Sequence, residues 1–273
     1  MTDQAERYDR IADGYARWWG PVIAPAALDV LEEIGEAVEA GGRRILDIGT
    51  GTGTLAIEIL RRWPDVRVTA IDASAEMLAK ARSEADRSLS PGQRDRLDLR
   101  VAVADDLGLP EGSVDIAVSS FVLQLVPNRA RALREARRVL RPGGTFAWTS
   151  WLAHDGIWAA DADFDDALEE VGEEPRGWDD PHDDIAEPRA AVRQMRRAGF
   201  ADVRATAGEL VHPFDVDGYV GFMVAFDEED LVRNLEPPVR ERFEAALRRR
   251  LARRRPEQLA LRLPTVRVRG TRR

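Results

Sequence analysis

Hydrophobic positions change period along this chain, and the changes divide it into three stretches. Between Arg43 and Trp151, short apolar or β-branched runs alternate with helical patterns. Strands are expected at residues 45–48, 66–71, 97–103, 114–119 and 145–151. Helices are expected between them at 55–62, 75–87 and 129–140. The third helix runs into Arg141-Pro142-Gly143-Gly144, a helix breaker followed by two permissive glycines. Strands and helices alternating at this spacing predict parallel βαβ units with right-handed crossovers, hence an α/β fold.

On the N-terminal side, Tyr8, Ile11, Tyr15 and Trp18 recur at helical spacing, and a second helix is expected over about 22–40. After the core, Ile157, Phe164, Leu168 and Val171 form a stripe on an acidic helix. A loop rich in Pro, Gly, Trp and Asp follows at 172–188, then a helix at 189–198 and a strand at 203–210. Helices near 216–234 and 238–255 precede a last strand-like run at 261–268. There is no internal repeat and no low-complexity linker. The pattern predicts a single domain over 1–273, with N-terminal helices at 1–42 and a ligand-binding core at 43–151. Helical cap insertions are expected at 152–188 and 213–258.

Composition narrows the chemistry. The 273 residues include no cysteine, which removes disulfides, thiol catalysis and cysteine-ligated zinc. The three histidines, His154, His182 and His212, lack ligand spacing, so no metal site is expected. No apolar run approaches the ~20 residues needed to span a bilayer. The polar N-terminus does not read as a signal peptide, and a cytoplasmic protein without membrane partners is expected. A net charge of −9 argues against nucleic-acid binding. Asp155 to Glu187 holds 14 acidic residues and one Arg, while 240–255 is Arg-rich. These read as solvated, mutually pairing helix faces, or, for the acidic stretch, as a substrate lid in which Trp158, Phe164 and Trp178 line an apolar pocket.

The strongest chemical signal is Ile45-Leu46-Asp47-Ile48-Gly49-Thr50-Gly51-Thr52-Gly53, a buried strand running into three glycines with a helix directly after. Glycines there let a ligand sit against bare main chain. The dinucleotide fingerprint G-x-G-x-x-G fails in both frames, at Thr54 and at Ala56, and no Gly-Lys pair exists for a P-loop. Asp47, two residues before the first glycine, would repel a pyrophosphate and suits a positive amino group. Asp72 ends the second strand, where a carboxylate accepts from both ribose hydroxyls. A ribose and an ammonium without a phosphate match S-adenosylmethionine (SAM).

At these residues the chain resembles the class I SAM-dependent methyltransferases, in particular the type-11 (UbiE-like) small-molecule group. The resemblance covers about 8–151 well. The family's glycine motif corresponds to Asp47–Gly53, and its Asp-x-Ser-x-x-Met-Leu continuation to Asp72, Ser74, Met77 and Leu78. The stretch Ala104–Asp115 and the pattern Arg138-Val139-Leu140-Arg141-Pro142-Gly143-Gly144 are also similar. The resemblance implies a Rossmann-like doubly wound sheet of seven strands in order 3-2-1-4-5-7-6 with strand 7 antiparallel, plus helical cap insertions. It implies SAM as cofactor, converted to S-adenosylhomocysteine. It places Tyr8, Tyr15, Asp47, Gly49, Thr50, Gly51, Gly53, Asp72, Ala73, Met77, Ala104 and Ser120 around that cofactor. Met77 would lie beside the adenine. The adenine-binding aspartate aligns with Asp105 or Asp106 in one frame and with Val103 in another. The N-terminal segment would close over the cofactor.

The methyl acceptor implied is a small molecule. Ser120, Phe121 and Gln124, after strand four, are expected at the junction of cofactor and substrate. Gln124 stands where many relatives carry a histidine. Trp151 and Trp158 are expected on the acceptor side. For a hydroxyl acceptor, His154, just past strand five, is the first candidate for general base, with His212 behind it. A SAM-binding protein without catalysis and a nicotinamide-dependent oxidoreductase are the competing readings, the latter lacking its phosphate fingerprint.

Overall fold

The computed structural model describes residues 3–154, 156, 158–176 and 184–273. Ile157, Trp178 and His182 lie outside the described residues. Seven strands form one sheet: β1 (Arg44–Ile48), β2 (Arg67–Asp72), β3 (Leu97–Val101), β4 (Val114–Ser120), β5 (Leu140–Trp151), β6 (Phe200–Pro213) and β7 (Ala260–Arg272). Helices α1 (Asp3–Gly14), α2 (Gly20–Leu28) and α3 (Gly35–Glu39) precede it. Helices α4 (Thr54–Arg62), α5 (Ala75–Ser88), α6 (Pro91–Arg94) and α7 (Arg129–Val139) connect the first five strands. After β5 come α8 (Ala159–Val171) and α9 (Pro188–Arg197). Between β6 and β7 lie α10 (Val216–Phe222), α11 (Glu229–Asn234), α12 (Pro237–Leu251) and α13 (Pro256–Leu259). The sheet order is β3-β2-β1-β4-β5-β7-β6, as expected. The pairs from β3 through β5 are parallel, and β7 runs antiparallel to both β5 and β6.

The alternation of side chains along each strand divides the interior into two cores. Leu46, Ile48, Ala117, Phe146 and Trp148 face one side and pack on α7 and α9. Ile45, Ile116, Val118 and Ala147 face the other and pack on α3, α4 and α5. A one-residue slip in any strand would exchange the two sets, so the pattern itself specifies register. At the amino-terminal edge of the sheet, Asp115 joins three strands. It accepts from the Arg43 amide (3.0 Å), the Arg44 amide (2.8 Å), Arg44 Nη2 (2.9 Å) and Arg141 Nε (2.7 Å). Burial opposes its charge, but these donors outweigh burial and hold its carboxyl well below the usual range.

Several elements differ from the expected ones. The helix expected over 22–40 is broken into α2, a 3₁₀ turn (Asp29–Glu33) and α3. Helix α7 stops at Val139 as expected, but the Arg141–Gly144 stretch after it forms a bulge inside β5, with Val114 opposite Leu140 and Ile116 opposite Thr145. A Cβ on Gly144 would meet the Arg141 and Asp115 carbonyls at 2.8 and 2.9 Å, so this glycine permits close strand approach. The strand expected over 97–103 ends at Val101, and Val103 makes only a lone bridge with Asp106.

The insertions after β5 and β6 share a core in which Phe164, Tyr219, Met223, Phe243 and Leu247 are fully buried. Acidic α8 lies along Arg-rich α12. Asp163 pairs with Arg254 (2.7 Å), Asp166 with Arg250 (3.0 Å), and Glu170 with Arg250 (3.2 Å) and Arg249. The two charge runs therefore neutralise each other. No described helix is long and apolar enough to cross a membrane.

Helix α1 and the π-turn after it (Tyr15–Trp19) form a strap between core and cap. Asp9 Oδ1 accepts from Ser74 Oγ (2.6 Å) and the Glu76 amide (3.2 Å) at the amino end of α5, where a negative charge is favourable. Asp13 pairs with Lys80. On the cap side two glycines receive aromatic rings. A Cβ on Gly14 would meet Phe226 at 2.7 Å, and one on Gly221 would meet Trp18 at 2.6 Å.

Candidate cofactor and acceptor site

The strand order reverses between β1 and β4, which leaves a crevice at the carboxyl ends of the parallel strands. The turn leaving β1 enters it. Gly49, Gly51 and Gly53 all have positive φ (70°, 55° and 88°), the left-handed region glycine reaches without strain. The turn is tied across to β2: the Thr50 amide donates to the Ile71 carbonyl (2.8 Å) and the Gly51 amide to Asp72 Oδ2 (2.8 Å).

Two carboxylates flank this turn. Asp47 is fully buried. Its Oδ2 accepts from Thr50 Oγ1 (2.7 Å), and its buried Oδ1 has no hydrogen-bond partner. Burial raises its pKa to about 7 against the opposing pull of the Thr50 hydroxyl. Asp72 is half-buried, and its Oδ1 accepts from the Ser74 amide (2.9 Å). Burial pushes its pKa up, while the Ser74, Gly51 and Ala73 amides pull it back.

Three cavities meet here. One of about 180 Å³ is walled by Tyr8, Tyr15, Gly49, Gly51 and Asp72, together with Ala73, Met77, Ala104, Asp105 and Ser120. A pocket of about 40 Å³ adds Asp47 and Thr50 and shares Tyr15, Gly49, Gly51 and Ser120 with the first. The third, about 450 Å³, lies beyond Tyr8 and Tyr15 and is lined by Phe121, Gln124 and Trp151. Two expected cofactor residues line none of these cavities. Gly53 instead packs α4 on α5, since a Cβ there would stand 3.1 Å from the Ala81 Cβ. Asp106 is exposed in its bridge with Val103, whereas Asp105 and Val103 both face the first cavity.

Four residues expected on the acceptor side lie outside the cavities. His154 is exposed and lines none of the three cavities, because the chain leaves the sheet edge right after Trp151. His212 is half-buried against Phe214 (4.5 Å between ring centroids), with its pKa lowered by burial, and it too lies outside the cavities. Trp158 belongs to the cap core, edge-on to Tyr219 at 5.0 Å. Phe164 is likewise wholly within that core, against Phe243. The wall expected from the acidic stretch comes instead from the second insertion, through Phe226 and the run Asp227–Leu231.

Val122 carried no individual signal in the sequence, whereas Phe121 was expected at this junction. Val122 fills the space left by the missing side chain of Gly49. Phe121 is buried with φ 54°, a left-handed conformation that costs a non-glycine residue on the order of 1 kcal/mol. It lines both the cofactor and the acceptor cavities. Trp19 does share the helical spacing of Tyr8 and Tyr15, and that spacing was the available clue.

Known proteins with similar sequences and structures bear on the fold and on the family of the central stretch. Residues 46–148 match the model of a methyltransferase domain family. A malonyl-[acyl-carrier protein] O-methyltransferase of Geobacter sulfurreducens is 35% identical over 180 residues, covering 65% of this chain and 63% of that protein. The UbiE ubiquinone/menaquinone biosynthesis C-methyltransferase of Geotalea daltonii is 38% identical over 102 residues, 37% of this chain and 42% of that one. The chain thus spans less than two thirds of the length of either curated relative. Among solved structures, a putative methyltransferase from Bacillus halodurans matches with a TM-score of 0.57 at 17% identity, over 89% of this chain and 98% of that one. The [4+2]-cyclase SpnF matches with a TM-score of 0.61 at 19% identity, over 98% of this chain and 95% of that one. At such identities the structural likeness concerns fold alone. Residues 46–148 thus match a methyltransferase domain and lie on a sheet of order β3-β2-β1-β4-β5-β7-β6.

Proposed function

We propose that this protein transfers a methyl group from SAM to a small-molecule acceptor. The observation that carries the reading is the pair of carboxylates on either side of the glycine turn. Asp47 keeps an unpartnered buried oxygen at the 40 Å³ pocket, and Asp72 faces the 180 Å³ cavity. A ligand with an ammonium at one end and a ribose in the middle answers both needs, and no phosphate is accommodated beside Asp47. The residues therefore fit SAM. Asp47 would hold the ammonium and Asp72 the ribose hydroxyls, with Met77, Ala104 and Asp105 around the base.

When bound, SAM supplies a methyl group already activated on a sulfonium. The chain's own part is to position the acceptor and exclude water. Tyr8 and Tyr15 stand between the cofactor and acceptor cavities. Burial raises the pKa of both phenols, so at neutral pH they donate hydrogen bonds and do not serve as bases. No histidine among the described residues lines the acceptor cavity. The arrangement suits an acceptor atom that brings its own lone pair or ionises without a histidine.

Calorimetric titration with S-adenosylhomocysteine tests the assignment, run on wild type and Asp72→Ala with NAD as control. Binding by wild type that collapses in the variant, with no NAD signal, supports it. Indifference to Asp72 would overturn it. Because a cyclase shares the fold, transfer of a labelled methyl group must be measured separately from binding.

A further inference from the structure

The acceptor cavity is apolar at its inner end and charged at its mouth. Trp151 stacks on Phe121 (3.9 Å between centroids, 25° between planes), and Trp19 stands 6.3 Å from Trp151. Arg7, Arg10, Asp227, Glu229, Asp230 and Arg233 are all exposed, so they stand at the rim. One buried polar side chain interrupts the aromatic wall. Gln124 is 4% exposed yet lines the cavity.

Its amide is held by a residue outside the cavity. Ser150, fully buried on β5, donates its hydroxyl to Gln124 Oε1 at 2.9 Å. With Oε1 engaged, the amide N–H₂ is the part left for the cavity, and among the described residues it has no hydrogen-bond partner. A donor pair that meets a cavity without a protein partner is matched by an acceptor atom. Aromatic walls alone would attract a cation. Two N–H donors pointing at the same place disfavour an ammonium, which has only donors to offer.

Resting on the methyltransferase reading, we propose that Gln124 selects the methyl acceptor and that Ser150 positions it. The Gln124 amide, turned N–H₂-inward by Ser150, recognises a flat apolar molecule through an oxygen that accepts its hydrogen bonds, and it rejects an ammonium at that point.

The test uses three probes on one ring system: 2-naphthol, 2-naphthoate and 2-(aminomethyl)naphthalene. Each is titrated into the protein with and without S-adenosylhomocysteine and followed by ligand-observed NMR. Wild type should bind the two oxygen probes at least about tenfold more tightly than the ammonium. Gln124→Leu should bring that ratio to about one, and isosteric Gln124→Glu, an acceptor, should invert it. Ser150→Ala should retain naphthol binding but lower the ratio about threefold, which a mere packing role would not do. Thermal unfolding of each variant establishes that it folds. Failure of all three probes to bind, equal or tighter binding of the ammonium by wild type, or a ratio unchanged in Gln124→Leu would overturn the proposal. If S-adenosylhomocysteine fails to bind while the probes discriminate, the cofactor reading falls, the role of Gln124 toward a methyl acceptor falls with it, and its recognition of an oxygen stands. If it binds and the probes do not discriminate, this one falls alone.

Discussion

A Cβ on Gly49 would stand 2.3 Å from Cγ2 of Val122, so these two residues meet only because one of them has no side chain. The contact packs the glycine turn against the segment after β4. Gly49→Ala introduces both this overlap and a side chain at φ 70°. It should destabilise the protein by about 2–4 kcal/mol in urea unfolding. Adding Val122→Ala should recover the steric part and leave about 1–2 kcal/mol for the left-handed backbone. Equal losses in the single and double variants would mean the overlap relaxes elsewhere.

Asp47 links cofactor binding to stability through its proton. Its pKa is about 7 in the folded protein and about 3.9 in an unfolded chain. Folding therefore favours the protonated form, and relative stability is lost as pH rises from about 4 through 7. Asp47→Asn should be the more stable protein at pH 8, by about 2 kcal/mol, with the difference vanishing near pH 4. The same variant should bind S-adenosylhomocysteine far more weakly. Wild-type affinity should rise between pH 6 and about 8 as the carboxylate ionises. A flat pH profile would argue against a salt link to the ligand.

Asp115 predicts the opposite slope. Its carboxyl lies below the usual range in the folded protein, so its contribution is present above the unfolded pKa of about 3.9 and is lost as pH falls through the lower folded value. Arg44 and Arg141 are about half exposed, which discounts the pairing. Asp115→Asn should cost about 1–2 kcal/mol at pH 7 and little at pH 2, read by urea unfolding at each pH. Cofactor affinity at pH 7 should not change, since the residue sits at the opposite edge of the sheet.

Gly221 sets two effects against each other. Alanine in a helix is favoured over glycine by roughly 1 kcal/mol, yet the added Cβ would stand 2.6 Å from Trp18. The overlap should win locally and lift the strap. Gly221→Ala should speed proteolysis within α1 and raise the dissociation rate of S-adenosylhomocysteine about tenfold by stopped-flow. Unchanged rates would show that the strap does not depend on this notch.

The glycine-turn side of the site was legible in the sequence for a physical reason. Asp47, the glycine turn and Asp72 come together through backbone and short side chains at strand ends, so their placement follows from local spacing. The central strands were equally legible, because β1 and β4 bury both faces and read as continuous apolar runs. The acceptor side was not. Trp158 was assigned to it for its nearness to β5 in sequence, but Tyr219, about sixty positions further on, draws it into the cap. Phe226 and its neighbours reach the cavity through a π-turn, Met223–Asp227, that a 3.6-residue period does not announce. Strands β6 and β7 extend past their apolar stretches because their outer residues pair with each other and face solvent.

Tyr8 and Tyr15 both belong to the walls of the 180 Å³ and the 450 Å³ cavities, and that has a consequence in time. A displacement of the strap opens both chambers together, so departure of one product and arrival of the next reactant share a single gate. The strap is held by the Asp13–Lys80 ion pair, the Asp9 hydrogen bonds and two ring-in-notch contacts, an attachment suited to microsecond-to-millisecond opening. Turnover would then be paced by the tempo of α1, and the chemistry in between would run in a closed interval whose length the fold sets.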